Sequence, residues 1–179
     1  EDLFLGVPVK LGKDGVEPVA IENIKGQLPP VTDLYNTLGG PFSFEIVYGD
    51  GLRVFVSSEY TYGCHFYGEG GKKIYVTGGK LETNPAELIR EKIRDDEIKL
   101  IRSGQQEKNF IENIYSGGEN ISPVTAGFSA LTPAVLAHIG MRLGRANVKW
   151  NAAKTRFVDD AAADKLLVPH MRAPWTLDV

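Results

Sequence analysis

The sequence predicts an α+β domain with an open, mostly antiparallel sheet, helices packed on one face, an extended N-terminal segment and a C-terminal arm. Three observations predict this class. Short segments of alternating apolar and polar residues follow one another through residues 42–78, joined by turns too short for parallel crossovers. Segments with helical periodicity begin at residue 84. The 179 residues are 42% hydrophobic and 24% charged, as in a globular protein.

The N-terminal segment differs in composition from the remainder of the chain. Residues 1–41 contain half of the 10 prolines, so we expect an extended, turn-rich segment there, a remnant of an interdomain region, ahead of a sheet domain over 42–179. Asp14-Gly15 between "VPVKLG" and "VEPVAIE" predicts a hairpin. Because the chain begins with Glu1 and not Met, we also expect further sequence upstream.

The strand predictions follow from alternation and turn residues. "FSFEIVY" and "LRVFVSSE" flank Gly49-Asp50-Gly51 and form the clearest hairpin. "TYGCHFYG" and "KKIYVTG" flank Glu69-Gly70-Gly71 and predict two more strands. Together the four segments predict an antiparallel meander, and "EIKLIR" over 97–102 predicts a fifth strand.

The helix predictions follow from caps and from apolar spacing. "NPAELIREKI" has Asn84 as a candidate cap, and "QQEKNFIENIYS" over 105–116 ends at Gly117. We expect a third helix to begin with Thr132 as its cap, and a short fourth helix to follow in "DDAAADKLLV". The apolar positions predicted to pack are Phe110, Ile111, Ile114 and Tyr115 in the second helix and Val135, Leu136, Ile139 and Leu143 in the third.

Composition and motif searches argue against several classes of function. A net charge of −3 without a basic patch argues against nucleic acid, and no apolar run approaches the roughly 18 residues that cross a bilayer. The lone Cys64 and three unspaced histidines give no metal motif. "GEGGKK" over 68–73 precedes a strand and predicts a turn, not a phosphate-binding loop. We therefore expect no nucleic-acid, membrane, cofactor or metal partner for this chain alone.

One cluster of side chains suits a ligand. His65 lies on a predicted strand near Tyr60 and Tyr62, and the cluster suits a polar pocket or an interface; structural packing is the other explanation, because aromatic residues are common on strands. Trp175 lies near the C-terminus with Arg172 and Pro174, and the large apolar area of a Trp in such a cluster implies a surface that receives it.

The C-terminal third of the chain carries a series of spaced motifs that resemble one family of oxidoreductases. In order they are Asn109-Phe110, Pro123-Val124, Arg142-Leu143-Gly144-Arg145, Lys149-Trp150, Phe157-Val158-x-Asp160, Leu166-Leu167 and Arg172-Ala173-Pro174-Trp175. This series resembles the C-terminal domain of the glucose-fructose oxidoreductase and inositol dehydrogenase (Gfo/Idh/MocA) family. The resemblance covers roughly residues 30–177.

The resemblance implies a function that needs a second domain. Family members bind NAD or NADP on an N-terminal Rossmann domain, which carries the catalytic Lys, and this chain has neither the glycine fingerprint nor that motif. It implies that this chain is the substrate-binding and oligomerisation domain of an oxidoreductase acting on a sugar or polyol, inactive alone and forming a homo-oligomer through its open sheet face. The pocket walls would be Tyr60, Tyr62, His65 and Arg53, which can bind hydroxyl groups.

Two alternatives stay open at this point. Either the chain is part of the enzyme, or it is a stand-alone, non-catalytic binding or scaffold module with the same fold. The sequence upstream of Glu1 would distinguish the two. By analogy with the family, Arg172, Pro174 and Trp175 would anchor the C-terminal arm, and we expect Trp175 to be buried in the native assembly. A bacterial cytoplasm and a periplasm both remain open as the compartment.

Overall fold

The computed structural model describes residues 17–26, 40–96, 104–168 and 171–175. The described residues separate into two compact units: Glu17–Glu59 with the residues from Ala130 onward, and Tyr60–Ser129. The predicted hairpin at Asp14-Gly15 and the predicted strand over 97–102 lie outside the described residues.

The first unit contains a five-stranded antiparallel sheet formed by β1 (Pro18–Lys25), β2 (Ser43–Tyr48), β3 (Arg53–Ser57), β7 (Val148–Asn151) and β8 (Arg156–Phe157). The strand order is β3-β2-β1-β7-β8. The predicted hairpin of β2 and β3 is confirmed, with Phe44 opposite Val56. Alternation sets the faces, because Phe44, Ile46 and Tyr48 are buried while the residues between them are only half-buried.

The C-terminal half of helix α2 (Val124–Arg142), from Thr132 to Gly140, packs against the buried face of this sheet. The prediction that this helix begins at Thr132 is wrong, because eight further residues precede Thr132 in the helix and Pro133 lies inside it. Leu136 and Ile139 are buried as predicted, whereas Val135 is exposed. A Cβ atom on Gly140 would lie 2.6 Å from Cδ1 of Ile24, so the absence of a side chain lets the helix approach β1.

The C-terminal part of this unit is fixed by caps and a salt bridge. Asp160 accepts a hydrogen bond from the backbone N–H of Ala163 (3.1 Å) and so caps the short helix α3 (Ala161–Asp164). Arg145 Nε donates to the same carboxylate at 3.0 Å. These bonds lower the pKa of Asp160, with the Arg145 hydrogen bond as the main cause. The predicted fourth helix is therefore present.

The second unit contains a three-stranded antiparallel sheet in the order β4-β5-β6, formed by Cys64–Tyr67, Lys73–Thr77 and Lys80–Asn84. The predicted four-stranded meander is thus divided, because β3 pairs with β2 and β4 pairs with β5. The predicted helix at 84–93 is also wrong. Asn84 pairs with Lys73 in the strand ladder and is unavailable as a cap, so the segment keeps only a 3-10 turn over Ala86–Arg90.

Helix α1 (Gln106–Ser116) completes the described part of the second unit. It ends where predicted, at Gly117, whose φ of 68° is in the left-handed region that glycine adopts readily. Two asparagines hold the loop that follows: Asn109 Oδ1 accepts from the N–H of Ile121 at 3.0 Å, and Asn113 Nδ2 donates to the carbonyl of Glu119 at 2.7 Å. With two open antiparallel sheets and three helices described, the α+β class is confirmed.

Candidate functional site

Three stacked rings on one face of the second unit's sheet form the aromatic column, which consists of Tyr67, His65 and Tyr75. Antiparallel register places His65 directly opposite Tyr75, and their ring centroids are 4.4 Å apart at an interplanar angle of 22°. The ring of Tyr67 lies 6.4 Å from that of His65 on the same strand face. The tyrosine hydroxyl groups and the imidazole nitrogens at the ring edges are therefore the polar atoms of an otherwise apolar surface.

Charged side chains flank both ends of the aromatic column. Lys73 Nζ lies 5.6 Å from the centroid of Tyr67, and Lys80 Nζ lies 5.9 Å from the centroid of Tyr75, both within cation–π range. Lys80 also contacts Glu82 at 2.8 Å, and this hydrogen bond raises the pKa of Lys80. The face therefore combines apolar rings with donors and an acceptor, the combination that hydroxylated ligands require.

Two more predicted residues lie in this unit. The Tyr75 hydroxyl donates to the backbone carbonyl of Tyr62 at 2.8 Å, which ties the segment before β4 to the aromatic column. Tyr60 and Tyr62 are themselves exposed. The structure thus links Tyr62 to His65 through Tyr75, a residue that the sequence analysis did not select. The signal that could have identified Tyr75 is the antiparallel pairing of "CHFY" with "KIYV", which places Tyr75 opposite His65.

The same sheet bears a groove of about 560 Å³. Phe66, Ile74 and Leu81 line it from the three strands, and Ile89 lines it from the 3-10 turn. The three residues of the aromatic column also line it, together with the polar side chains of Lys73 and Glu82. The aromatic column therefore belongs to the lining of this groove, and its polar groups are those that would give a site there its specificity.

Arg53 lies in the first unit, on the face of the five-stranded sheet that helix α2 does not cover. Its Nη1 donates to Glu22 Oε2 at 3.0 Å and lies 3.6 Å from Glu45 Oε2. Asn23 Nδ2 donates to Glu45 Oε1 at 2.8 Å from a backbone with a φ of 52°. The guanidinium of Arg53 therefore serves an ion-pair network, and its role in a pocket with Tyr60, Tyr62 and His65 stays a prediction.

The arm residues are described only in part. Within the single chain, the N–H of Trp175 donates to the carbonyl of Arg172 at 2.9 Å, which closes a turn around Pro174. The side chain of Trp175 is 65% exposed. Its burial in a larger assembly stays a prediction.

Most motif residues near the C-terminus build the first unit. Trp150 and Phe157 are buried and pack edge to face at a centroid distance of 5.5 Å. The buried indole Nε1 of Trp150 has no hydrogen-bond partner among the described residues. Arg145 and Asp160 form the salt bridge at α3. These residues therefore support the scaffold of the first unit.

Two further observations concern metals and membranes. Among residues 17–26, 40–96, 104–168 and 171–175, no group of three or more His, Cys, Asp and Glu side chains is arranged to hold a metal ion. In the same part of the chain, one helix, α2, is long and apolar enough to cross a membrane by length and composition. The expectation that no apolar run approaches this length is therefore wrong, although the core helix of a soluble protein passes the same test.

Comparison with known proteins gives one match. Residues 6–177 match the family model described as "Oxidoreductase family, C-terminal alpha/beta domain", which covers nearly the whole chain. No curated protein and no solved structure matches the chain.

Proposed function

Because the chain belongs to the Gfo/Idh/MocA oxidoreductase family and matches its C-terminal domain, we propose that it is the substrate-binding and oligomerisation domain of an NAD(P)-dependent oxidoreductase acting on a sugar or polyol. The observation that carries this proposal is the aromatic column and its flanking donors. Aromatic rings provide contacts for the C–H surface of a sugar, and His65, Lys73 and Glu82 provide hydrogen-bonding groups for its hydroxyls.

The nucleotide is assigned to another domain. The loop at Glu69–Gly71 leads into strand β5, so it lacks the helix N-terminus that binds the phosphates of a dinucleotide. These residues do not fit NAD or NADP. The N-terminal Rossmann domain that the family implies would bind the cofactor and contribute the catalytic Lys, and we expect this chain alone to show no NAD(H) binding.

The face of the five-stranded sheet opposite helix α2 is the proposed oligomer surface. It carries the Glu22–Arg53–Glu45 network and the exposed ring of Phe55. Antiparallel sheets commonly leave one face to solvent, but a face with a large exposed ring and paired charges also suits association with a second copy. The C-terminal arm that carries Trp175 is assigned to the same assembly.

The test is a substrate survey on the parent protein, the polypeptide that includes the sequence upstream of this chain. Reduction of NAD and of NADP is followed at 340 nm with a panel of aldoses, ketoses and polyols, and His65→Ala is compared with Lys92→Ala, an exposed residue of the same unit outside the aromatic column. We expect His65→Ala to raise KM for the sugar about tenfold and to leave KM for the dinucleotide unchanged. Lys92→Ala is expected to change neither.

Two results would contradict the proposal. If the parent contains no dinucleotide-binding sequence upstream, the chain is a stand-alone binding module. If the parent reduces NAD(P) only with substrates that lack hydroxyl groups, the aromatic column does not have the assigned role.

A further inference from the structure

The three strands of the second unit bring polar and aromatic side chains to the face that carries the aromatic column. Residues directly opposite each other in an antiparallel ladder point to the same side of the sheet. The ladder aligns two such rows across β4, β5 and β6: Tyr67, Lys73 and Asn84 in one, and His65, Tyr75 and Glu82 in the other. The rows lie two residues apart along β5, which is roughly 7 Å. The column therefore carries Lys73 at one end and Glu82 at the other.

The charges at the two ends of the column have different partners. At one end, Lys80 Nζ lies 2.8 Å from Glu82 Oε1, so these two charges offset each other. At the other end, Lys73 belongs to none of the salt bridges among the described residues 60–96. The residue opposite Lys73 on β6 is Asn84, which is neutral. Within this described stretch, the positive charge of Lys73 is therefore not offset by a carboxylate.

The ammonium group of Lys73 is placed to bind a ligand on the column. It lies 5.6 Å from the centroid of the Tyr67 ring, and its side chain is exposed, so its N–H donors are accessible to a ligand. A carboxylate or phosphate gains most from such a donor, because a hydrogen bond between two charged groups is stronger than one between neutral groups. Lys73 and the column also line the same groove of about 560 Å³, a volume that suits a small molecule.

We infer that the ligand of the aromatic column is an anionic sugar, and that Lys73 binds its carboxylate or phosphate while the rings of His65 and Tyr75 contact the sugar ring. The inference rests on the proposed function and makes it more specific, because there Lys73 serves only as a donor to hydroxyl groups. Sugar acids and sugar phosphates share the required chemistry, which is a negative charge on a substituent of the ring.

The charge pattern argues against two other classes of ligand. A cationic amino sugar needs an unpaired carboxylate, and Glu82, the carboxylate in the two rows, is already paired with Lys80. A neutral polyol leaves the charge of Lys73 without a partner and receives only the weaker hydrogen bonds that uncharged hydroxyl groups accept. An anionic sugar uses both the rings and the charge.

The test measures the steady-state kinetics of the parent protein with matched sets of probes. Glucose, galactose and mannose are each compared with their uronic acid, which carries a carboxylate, and with their 6-phosphate. The variant Lys73→Gln removes the charge, and Lys73→Arg keeps it. Lys72→Gln is the matched control, because Lys72 is the neighbouring residue and its ammonium lies 3.6 Å from the carboxylate of Glu91.

The expected result is a loss that depends on the charge of the probe. We expect Lys73→Gln to raise KM for the preferred anionic probe about tenfold, the low end for a bond between charged groups, because Lys73 is exposed. KM for the neutral sugar and for NAD(P) should not change, and Lys73→Arg and Lys72→Gln should resemble the wild type. Added salt should raise KM for the anionic probe in the wild type but not in Lys73→Gln. The anionic probe with the lower KM distinguishes a carboxylate from a phosphate.

The outcomes separate this inference from the proposed function. If the parent oxidises neutral sugars with a KM equal to or lower than that of their anionic analogues, the proposed function stands and the inference is overturned. Equal losses in Lys73→Gln and Lys73→Arg, or equal losses for charged and neutral probes, show a structural role for Lys73 and also overturn it. If the parent oxidises no sugar, the proposed function fails, and titration calorimetry with the same probes decides the inference. Binding of an anionic probe that weakens about tenfold in Lys73→Gln supports it, and the absence of such binding overturns it.

Discussion

Two leucines on helix α2 give the most direct test of where the core lies. Leu136 is 1% exposed and faces the five-stranded sheet, whereas Leu131, five residues earlier on the same helix, is 62% exposed. Leu→Ala removes the same atoms at both positions and keeps a residue with high helix propensity, so burial is the main difference between the two variants.

The expected magnitudes follow from this burial. Leu136→Ala is expected to lower the free energy of unfolding by about 2–5 kcal/mol, the range for a buried Leu that leaves a cavity. Leu131→Ala in this chain is expected to stay within about 0.5 kcal/mol of the starting protein, as for exposed substitutions.

The assay is urea unfolding in a Trp175→Phe background. The chain contains 2 Trp residues, and this replacement leaves Trp150 as the single fluorophore, buried in the unit that contains Leu136. The midpoint and slope then give the free energy of unfolding of that unit. Equal losses for the two variants in this chain would show that α2 packs through a different face, and the assignment of Leu136 to the core would fail.

Three further predictions concern pH and backbone geometry. Burial lowers the pKa of His138 below its ordinary value of 6.5. The contribution of His138 to stability is therefore constant above pH 6.5 and declines as pH falls through the lowered pKa. The variant His138→Gln should remove this decline in a plot of Tm against pH. Asp160 has a lowered pKa, chiefly because Arg145 donates to it, so its contribution is present above the ordinary value of 3.8 and is lost as pH falls through the lowered one; Asp160→Asn should lower Tm at neutral pH and flatten the acid limb. Gly63 has a φ of 138°, and a Cβ there would lie 2.6 Å from a backbone carbonyl, so Gly63→Ala should speed amide exchange in β5 at least about tenfold, whereas Gly78→Ala, with open space around it, should not.

Elements whose stabilising contacts are local could be predicted from the sequence. Elements whose contacts come from another strand or helix could not. The β2–β3 hairpin was predictable because it carries its own turn and its own alternation. Strand β6 has one large apolar residue, Leu81, and exists because β5 pairs along its whole length, which no local pattern reveals. The start of α2 was misplaced because Pro133 is favoured in a first turn, whereas here it lies in the helix interior.

The candidate site was predicted in its residue types but not in its geometry. His65 was selected for its neighbours in sequence, yet the ring nearest to it is that of Tyr75, ten residues away on the opposing strand. Arg53 was selected for its donors, and two carboxylates in strands β1 and β2 engage them. Strand register decides both outcomes, because a shift of one residue moves a side chain to the other face.

The first unit carries most of the motif residues near the C-terminus, whereas the second unit carries the candidate substrate site. This difference explains why the family is known while the substrate is still a proposal. The motif residues Trp150, Phe157, Arg145 and Asp160 pack, cap and pair within the first unit, so they are constrained by the scaffold that the unit must form. The aromatic column lies in the second unit, where no described residue is buried and a side chain can change with little effect on packing. Changes of specificity are therefore expected at positions such as His65, where a substitution alters binding before it alters the fold. If a variant of His65 unfolds the first unit, as Trp150 fluorescence would report, the claim that His65 affects binding and not packing of the first unit is contradicted.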